Sequence, residues 1–369
     1  MKKILSFSKK NAVVLIAALC AIITSFIVTP DAKYIDYFDF KTLTCLFCVL
    51  AVVCALRNIR FFYTIAKAIV RLFKNTRLAI LALVYITFIG SMLIANDMAL
   101  LTFLPLGYFI LHTAGKDKYL AFAYIMQNIA ANLGGMLTPF GNPQNLFIYS
   151  KFNIPDIEFI KIMLPPFILA VTMITLCCIV FVKKEPIEIK EKAASLPLWR
   201  TIVYLLLFAY SIIIVFRVVP YWTGLIVIPI ALLILDYKAL LSVDYGLLLT
   251  FVFFFIFSGN MARMDVVRDF FSYLLEKNTL VVSALSCQFI SNVPSAVLLS
   301  RFTDNYKHLL LGVNIGGVGT LISSLASLIT FKQYSAQQPG HTLRYILKFS
   351  AFNFAFLAIL LAFCLIFNI

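Results

Sequence analysis

The chain has 369 residues, of which 62% are hydrophobic and 13% are charged, and its mean hydropathy is +0.98. Soluble domains carry about 25% charged residues, so this composition excludes an ordinary soluble protein. It predicts an all-α polytopic membrane protein with about ten or eleven spans of roughly 20 residues each. The formal net charge is +15, but the basic residues form short clusters between apolar runs, which is typical of cytoplasmic loops rather than of a nucleic-acid-binding face.

The first apolar run covers residues 13–28 and follows basic residues at the N-terminus. No small-residue cleavage site precedes Pro30, so we interpret the run as an uncleaved span whose N-terminus is cytoplasmic. Further along, residues 57–77 place four basic residues at helical spacing opposite apolar residues. This pattern predicts a helix on the cytoplasmic surface, held by anionic lipid headgroups. The basic residues are Arg60, Lys67, Arg71 and Lys74.

The cysteines all lie inside apolar segments, which favours plain buried thiols. Cys45 and Cys48 have the spacing of a redox motif. They lack a second cysteine pair for zinc and the soluble βαβ context of a thioredoxin-like site. The sequence therefore predicts no structural metal and no cofactor here.

The longest polar stretch, residues 183–200, divides the chain into pieces of nearly equal length. Many transporters consist of two copies of one unit. We therefore predict a first transmembrane repeat over residues 1–182, a cytoplasmic linker over 183–200, and a second repeat over 201–369.

Two pairs of segments indicate the repeat. Asn96 and Asn292 each lie within an apolar stretch, and each is followed by a leucine pair. Residues 134–146 align without gaps on residues 316–328, sharing both glycines, the threonine and the final leucine. The glycines alone could serve close helix packing, and each asparagine could make a single interhelical hydrogen bond.

The aligned segments place Gly, Pro or polar residues where a regular membrane helix would be apolar, which predicts a break in each helix. Pro139 and Pro143 remove backbone donors, and the freed carbonyls persist in a membrane only where they line a cavity. With the side chains of Thr138, Asn142 and Asn145, these carbonyls are suitable ligands for a small hard cation. The half-helix after the break would aim its positive end at an anion.

Asp97 is a carboxylate between apolar residues with no cation near it in sequence, and such a group is costly inside a membrane. It is a coupling-ion ligand or a proton carrier, or it caps a helix that begins at the turn. A third alternative is that the span ends earlier and Asp97 is solvated.

At these residues the sequence resembles the ion transporter superfamily of arsenite/antimonite efflux pumps, related sodium/proton antiporters, divalent-anion:sodium symporters and citrate transporters. The resemblance spans most of the chain. It implies two inverted repeats, each with a re-entrant hairpin tipped by an Asn motif and a broken helix. It also implies a scaffold part and a transport part that slides across the membrane, with substrate and cation bound between the hairpin tips and the breaks.

Carried onto this chain, the resemblance implies two sets of site residues. The substrate set is Asn96, Asn142, Asn145, Ser291, Asn292, Ser324 and Ser327. The coupling-ion set is Asn96, Asp97, Thr138, Gly141, Asn292 and Thr320. The dicarboxylate symporters have Ser-Asn-Thr at both tips, whereas this chain has Asn-Asp-Met and Ser-Asn-Val, which favours the arsenite and antiporter branch.

The sequence predicts a secondary transporter of a small anion or oxyanion, such as a di- or tricarboxylate or arsenite, coupled to sodium or protons. The alternative within the class is a sodium/proton antiporter that uses Asp97 as the exchange carboxylate. An intramembrane enzyme would need a catalytic His, Ser-His or acidic cluster at one membrane face, and the sequence contains none. The predicted partners are the anion and the lipid bilayer but no nucleic acid, and the resemblance adds a homodimer.

Overall fold

The computed structural model describes residues 12–187 and 196–369, and within them the chain is almost wholly helical. The predicted all-α architecture is confirmed. The basic N-terminal residues and Lys190, Glu191 and Lys192 of the predicted linker lie outside the described residues. The α helices in chain order are α1 Ala12–Ile27, α2 Phe40–Asn58, α3 Phe61–Val70, α4 Thr76–Ile94, α5 Asn96–Thr113, α6 Leu120–Gly134, α7 Pro143–Lys151, α8 Asp156–Phe181, α9 Leu198–Val215, α10 Trp222–Leu241, α11 Tyr245–Ala262, α12 Asp265–Ile290, α13 Asn292–Leu299, α14 Tyr306–Ile315, α15 Leu325–Gln337 and α16 Thr342–Ile366.

In the described part of the chain, 8 segments are long and apolar enough to cross a membrane. They are α2, α4, the segment 117–137 that contains α6, α8, α9, α10, α11 and α16. α1 is apolar but shorter. Their outer surfaces are rich in exposed apolar side chains, which in a soluble protein would be a liability and in lipid is the expected state. The chain is therefore a multi-pass membrane protein.

The same order of elements occurs twice. In the first half, α2 is followed by the short helix α3, the hairpin α4–α5, the interrupted pair α6–α7 and the long helix α8. In the second half, α11 is followed by α12, which kinks at Asn278 (φ −165°, ψ 93°) into a leading segment and a hairpin arm. The hairpin partner α13, the interrupted pair α14–α15 and the long helix α16 complete that half.

The two hairpins differ in arm length. α4 and α5 have 19 and 18 residues, whereas α13 has 8 residues and is about 12 Å long at the α-helical rise. Because the hydrocarbon core is about 30 Å thick, α13 is too short to cross it. The second hairpin therefore has the proportions of a re-entrant hairpin, and the first hairpin is longer.

Each hairpin packs closely on the interrupted helix that follows it, through the first glycine of each Gly-Gly pair. A Cβ added to Gly134 would lie 2.3 Å from the carbonyl oxygen of Phe88 in α4. A Cβ added to Gly316 would lie 2.8 Å from the Cα and carbonyl oxygen of Ala284 in α12. Backbone atoms cannot move aside as a flexible side chain can. The glycines thus let helix axes approach closely, as small residues do in membrane proteins.

Gly134→Ala is expected to lower the free energy of unfolding by about 1–3 kcal/mol, the usual effect of overpacking. Gly317→Ala is the comparison variant: its added Cβ would lie 3.1 Å from the carbonyl oxygen of Asn314, a contact that a small shift relieves, so a smaller loss is expected. The melting temperatures of the detergent-solubilised variants measure the difference. Equal melting temperatures for the two variants would contradict the close approach of α6 to α4.

The predicted basic helix over residues 57–77 is shorter than expected and is oriented differently. α3 ends at Val70, and Lys67 is buried, with its ammonium group 5.4 Å from the ring centroid of Phe109 in α5. The apolar residues Ile65 and Ile69 are exposed instead. Helical spacing placed all four basic residues on one outward face. Arg60, Arg71 and Lys74 are exposed, whereas α5 covers Lys67.

The beginning of the predicted linker is fixed to the base of the first hairpin. The carbonyl oxygen of Glu185 accepts hydrogen bonds from Thr76 N at 2.8 Å and Thr76 Oγ1 at 3.1 Å. Its carboxylate binds the ammonium groups of Lys116 at 2.7 Å and Lys118 at 2.6 Å and the hydroxyl of Tyr119 at 3.0 Å. The two lysines, followed by the tyrosine, lower the pKa of Glu185 to about 2. This carboxylate therefore stays charged and holds the segment between α5 and α6, while the carbonyl of the same residue holds the start of α4.

Candidate functional site

Both hairpin tips adopt the same unusual backbone conformation. Ala95 has φ 64° and ψ 150°, and Ser291 has φ 75° and ψ 158°. This region is almost exclusive to glycine and costs a residue with a side chain about 1–3 kcal/mol. Such strain persists where the surroundings dictate it, and it clusters at ligand sites. The matching strain singles out both tips as candidate binding elements.

The asparagine after each strained residue holds the tip in the same way. The Oδ1 atom of Asn96 accepts a hydrogen bond from Asp97 N at 2.9 Å, and Oδ1 of Asn292 accepts one from Val293 N at 2.9 Å. The two tips therefore share backbone and asparagine geometry but differ in the next side chain, a carboxylate in one and an apolar group in the other.

The threonines of the two breaks attach each interrupted helix to its own hairpin. Thr138 Oγ1 donates to the carbonyl oxygen of Met92 at 2.8 Å. Thr320 Oγ1 donates to the carbonyl oxygen of Gln288 at 3.1 Å, and Thr320 N donates to the side chain of Gln288 at 2.9 Å. Met92 and Gln288 occupy the same position before their tip asparagines. Each threonine hydroxyl thus donates its proton to a hairpin, and only its oxygen lone pairs are left for a bound ligand.

The carbonyls freed at the first break are used within the protein. Asn145 is fully buried, and its Nδ2 atom donates to the carbonyl oxygens of Gly135 at 3.0 Å, Met136 at 3.3 Å and Thr138 at 3.3 Å. Gly141 lies in this turn, where an added Cβ would lie 2.4 Å from the carbonyl oxygen of Gly135. Asn145 therefore stabilises the break by binding its carbonyls, and Gly141 allows the close approach of the chain to Gly135.

At the second break the serines cap a helix. Ser324 precedes α15, and its Oγ accepts a hydrogen bond from Ser327 N at 3.2 Å and lies 2.9 Å from Ser327 Oγ. Ser327 Oγ also accepts from Asn128 Nδ2 of α6 at 3.3 Å. Ser324 is thus the N-cap residue of α15, and Ser327, in the first turn of that helix, contacts the first half of the chain.

The second tip reaches its own break, and the first tip contacts the end of α6. Asn292 N donates to the carbonyl oxygen of Ser323 at 2.9 Å. Asn96 Nδ2 donates to Asn132 Oδ1 at 3.2 Å. A Cβ on Gly317 would lie 3.2 Å from Asn292 Nδ2 and 3.5 Å from Asn132 Oδ1. Asn292 of the second tip and Asn132, the partner of the first tip, therefore both lie beside Gly317.

Asn314 connects the two breaks. Its Nδ2 atom donates to Asn145 Oδ1 at 2.6 Å, and its Oδ1 atom accepts from Asn142 at 3.4 Å and from Gln144 at 3.5 Å. Asn142 also donates to the carbonyl oxygen of Asn132 at 3.3 Å. The predicted residues of the first break are thus tied to the second half by a residue that the sequence analysis did not single out.

A cavity of about 400 Å³ lies in front of both tips. Its walls come from the two tips, the first turn of α7, the second break, α1 and α11. Of the predicted site residues described in the structure, Asn96, Asp97, Ser291 and Asn292 line it, together with Gln144. The other predicted site residues do not line it: Thr138, Gly141, Asn142, Asn145, Thr320, Ser324 and Ser327.

The cavity wall carries two carboxylates together with amide and hydroxyl groups. Asp97 and Asp244 both line it, and no lysine or arginine does among the described residues. Asp97 Oδ1 and Gln144 Oε1 in the cavity wall, and Asn142 Oδ1 outside it, are buried atoms without a hydrogen-bond partner in the described part of the chain. Asp244 instead caps α11 by accepting from Leu247 N at 3.0 Å. Unpartnered oxygen acceptors suit a bound cation or a proton-bearing ligand.

The sequence analysis missed the amides of Asn132, Asn314 and Gln288. A signal was present for two of them, because Asn132 and Asn314 stand two residues before their Gly-Gly pairs and extend the gapless alignment. Gln288 carries no such signal, since a lone glutamine in an apolar helix has no partner visible in sequence.

Comparison with known proteins identifies the family to which the chain belongs. The family model described as citrate transporter matches residues 4–308. The chain belongs to the citrate transporter family. The match includes both hairpin tips and the first break. The chain is also 36% identical over 298 residues to the uncharacterized transporter MJ0456 of Methanocaldococcus jannaschii, covering 80% of this chain and 81% of the relative. It is 28% identical over 280 residues to the inner membrane protein YbiR of Escherichia coli, covering 74% of each chain.

Membership of the citrate transporter family confirms the resemblance predicted from the tips and breaks, and it makes the protein a membrane transporter. The family and the relatives point to transport rather than to catalysis.

Proposed function

We propose that this member of the citrate transporter family is a secondary active transporter that carries a small anion or oxyanion together with sodium or a proton. The cation binds at the first tip, on Asp97 and Asn96. The anion binds beside it, between Gln144 and the Ser291-Asn292 tip. The observation that carries the proposal is the cavity between two equally strained tips, whose buried carboxylate oxygen has no partner in the described chain.

The charge of the cavity gives the physical reason for coupling. An anion about 4 Å from the ionised carboxylate of Asp97 would be disfavoured by about 4 kcal/mol at an effective dielectric constant of about 20. A bound sodium ion or a proton on Asp97 removes this repulsion. The anion therefore binds well only after the cation, which is the requirement for coupled transport.

The repeated order of elements supports alternating access in which each hairpin moves as a unit with its interrupted helix. In each half, the break threonine and a glycine join these two elements. We place the N-terminus and the linker on the cytoplasmic side because of their basic residues. We also propose that the protein forms a homodimer.

One observation favours a second candidate, a sodium/proton antiporter. The cavity wall offers two carboxylates and no basic side chain within the residues that the structure describes. In this alternative Asp97 exchanges a proton for sodium, and no anion binds.

Thermal-shift measurements on the detergent-solubilised protein separate the two candidates. Sodium, lithium, citrate, succinate, sulfate and arsenite are added singly and in cation-plus-anion pairs. A ligand at about 100 times its dissociation constant stabilises by about 2.7 kcal/mol. Stabilisation by an anion that requires sodium or low pH supports the anion transporter. Stabilisation by sodium or lithium, with no effect of any anion, supports the antiporter and contradicts the first proposal.

A further inference from the structure

A second cavity lies away from the candidate site, between the end of α2, the start of α3 and one side of α5. Its volume is about 350 Å³, which is within the range of about 300–1,000 Å³ that is usual for small-ligand sites. Two arginines and two aromatic residues of the α2–α3 junction form one wall, and the first turns of α5 form the other. The lining residues that matter here are Arg57, Arg60, Phe62, Tyr63, Leu101 and Thr102.

The two guanidinium groups have unused donors. Arg57 Nη1 lies 3.3 Å from the sulfur of Met98, which is a weak acceptor. Neither Arg57 nor Arg60 has a carboxylate partner among the described residues, and the nearby Asp236 accepts a hydrogen bond from Asn58 at 2.9 Å. Paired guanidinium groups without carboxylates match the geometry and charge of a phosphate.

The backbone fixes the position of one arginine. Arg60 has φ 56° and ψ 30°, the left-handed conformation that few residues with a side chain adopt. It forms the turn from α2 into α3, and it is followed by Phe61 and Phe62, whose rings meet edge to face with centroids 5.1 Å apart. The turn therefore presents a cation directly beside aromatic groups.

The surroundings favour a lipid over a free phosphate. Ile65, Ile69 and Leu72 are exposed on α3 and just after it, and Leu101 of α5 is exposed in the cavity wall. Such apolar groups beside a cationic pocket suit a ligand with a charged head and apolar chains. We propose that this cavity binds the phosphate of an anionic phospholipid, with the acyl chains along the exposed apolar side of α3.

A bound phospholipid has a mechanical consequence. α5 is the second arm of the first hairpin, and Asp97 lies in its first turn. The lipid headgroup fills the space between the α2–α3 junction and α5, where Arg57 already contacts Met98. Anionic lipid thus holds the first tip in the position seen here.

The test titrates the detergent-solubilised protein with dioleoylphosphatidylglycerol, dioleoylphosphatidylcholine or inorganic phosphate and follows the melting temperature. The phosphatidylglycerol is expected to stabilise the wild type and the phosphatidylcholine to have little effect. In Arg57→Gln/Arg60→Gln the apparent affinity for phosphatidylglycerol should fall by about tenfold or more, since hydrogen bonds to charged groups are lost. Arg71→Gln is the matched control, because Arg71 is exposed on the same segment and outside the cavity.

Three results would overturn the proposal. The first is an unchanged affinity in the double variant, and the second is an equal loss in Arg71→Gln, which would indicate general surface attraction. The third is equal stabilisation by inorganic phosphate, which would make the ligand a soluble phosphate. If the double variant does not fold, Arg60→Asn is used to test the proposal, because asparagine tolerates the left-handed conformation. This variant should lose affinity by several-fold, about the contribution of one charged contact.

Discussion

Asp97→Asn is expected to abolish the cation dependence of anion binding. The neutral amide no longer attracts sodium or a proton, so cations should cease to stabilise the protein. It also no longer repels an anion, so the anion should bind without the cation. The repulsion of about 4 kcal/mol corresponds to roughly a 10³-fold difference in affinity. Thermal-shift titrations of an anion with and without sodium, at fixed pH, measure this difference in the wild type and in the variant.

The control for this experiment is Asp269→Asn. Asp269 lies in the leading segment of α12, and its side chain is 75% exposed. It lies outside the cavity, so the same change of charge there should leave the cation dependence intact. An Asp97→Asn variant that keeps the full sodium or proton dependence would show that another group carries the coupling.

Asn314→Ala is expected to impair both stability and ligand binding. The change removes the 2.6 Å hydrogen bond to Asn145 and the acceptor shared by Asn142 and Gln144. A buried polar group left without a partner costs about 1–3 kcal/mol. The first break should also loosen where α7 begins, so the affinity of the cavity for its ligands should fall. Melting temperatures and ligand-induced shifts measure the two effects.

Asn260→Ala is the control that separates the loss of stability from the loss of ligand binding in Asn314→Ala. Asn260 is equally buried, in α11, and it donates to Thr24 at 3.2 Å and Ser25 at 3.3 Å. Its loss should lower the melting temperature by a similar amount and leave the ligand-induced shifts unchanged. If Asn314→Ala behaves in the same way as Asn260→Ala, Asn314 has only a structural role.

The two tips share one backbone conformation but differ in the side chain that follows the asparagine. Ala95 and Ser291 share a strained conformation, and Asn96 and Asn292 stabilise it identically. The next residue is Asp97 in one tip and valine in the other. We infer a division of labour in which the carboxylate tip binds the cation and the neutral tip, with its serine, meets the co-transported ligand.

Much of this architecture could be predicted from the sequence, because the length and the interruptions of an apolar run indicate where a membrane helix begins, breaks and ends. Apolar length indicated the spans, and the misplaced asparagines indicated the tips at Asn96 and Asn292. Proline and glycine indicated the interruptions near Thr138 and Thr320. These features are local, so they can be read from a few neighbouring residues.

The features that could not be predicted depend on contacts between distant segments. Lys67 reads as an outward-facing basic residue, but packing against α5 buries it. Asn145 was predicted as a ligand, and the sequence did not reveal that its Nδ2 atom donates to carbonyls freed at its own break. The bond from Asn314 to Asn145 joins residues from opposite halves of the chain. No spacing rule within one helix reveals such a partner.

The most direct test of coupled transport is uptake by proteoliposomes under an imposed gradient. The cargo is the radiolabelled form of whichever anion gives the largest thermal shift, and the gradient is inward sodium or inward protons. Accumulation of the anion above its external concentration, only while the gradient lasts and not in Asp97→Asn, is the predicted result. Equilibration of the anion at the same rate with and without the gradient would contradict the account.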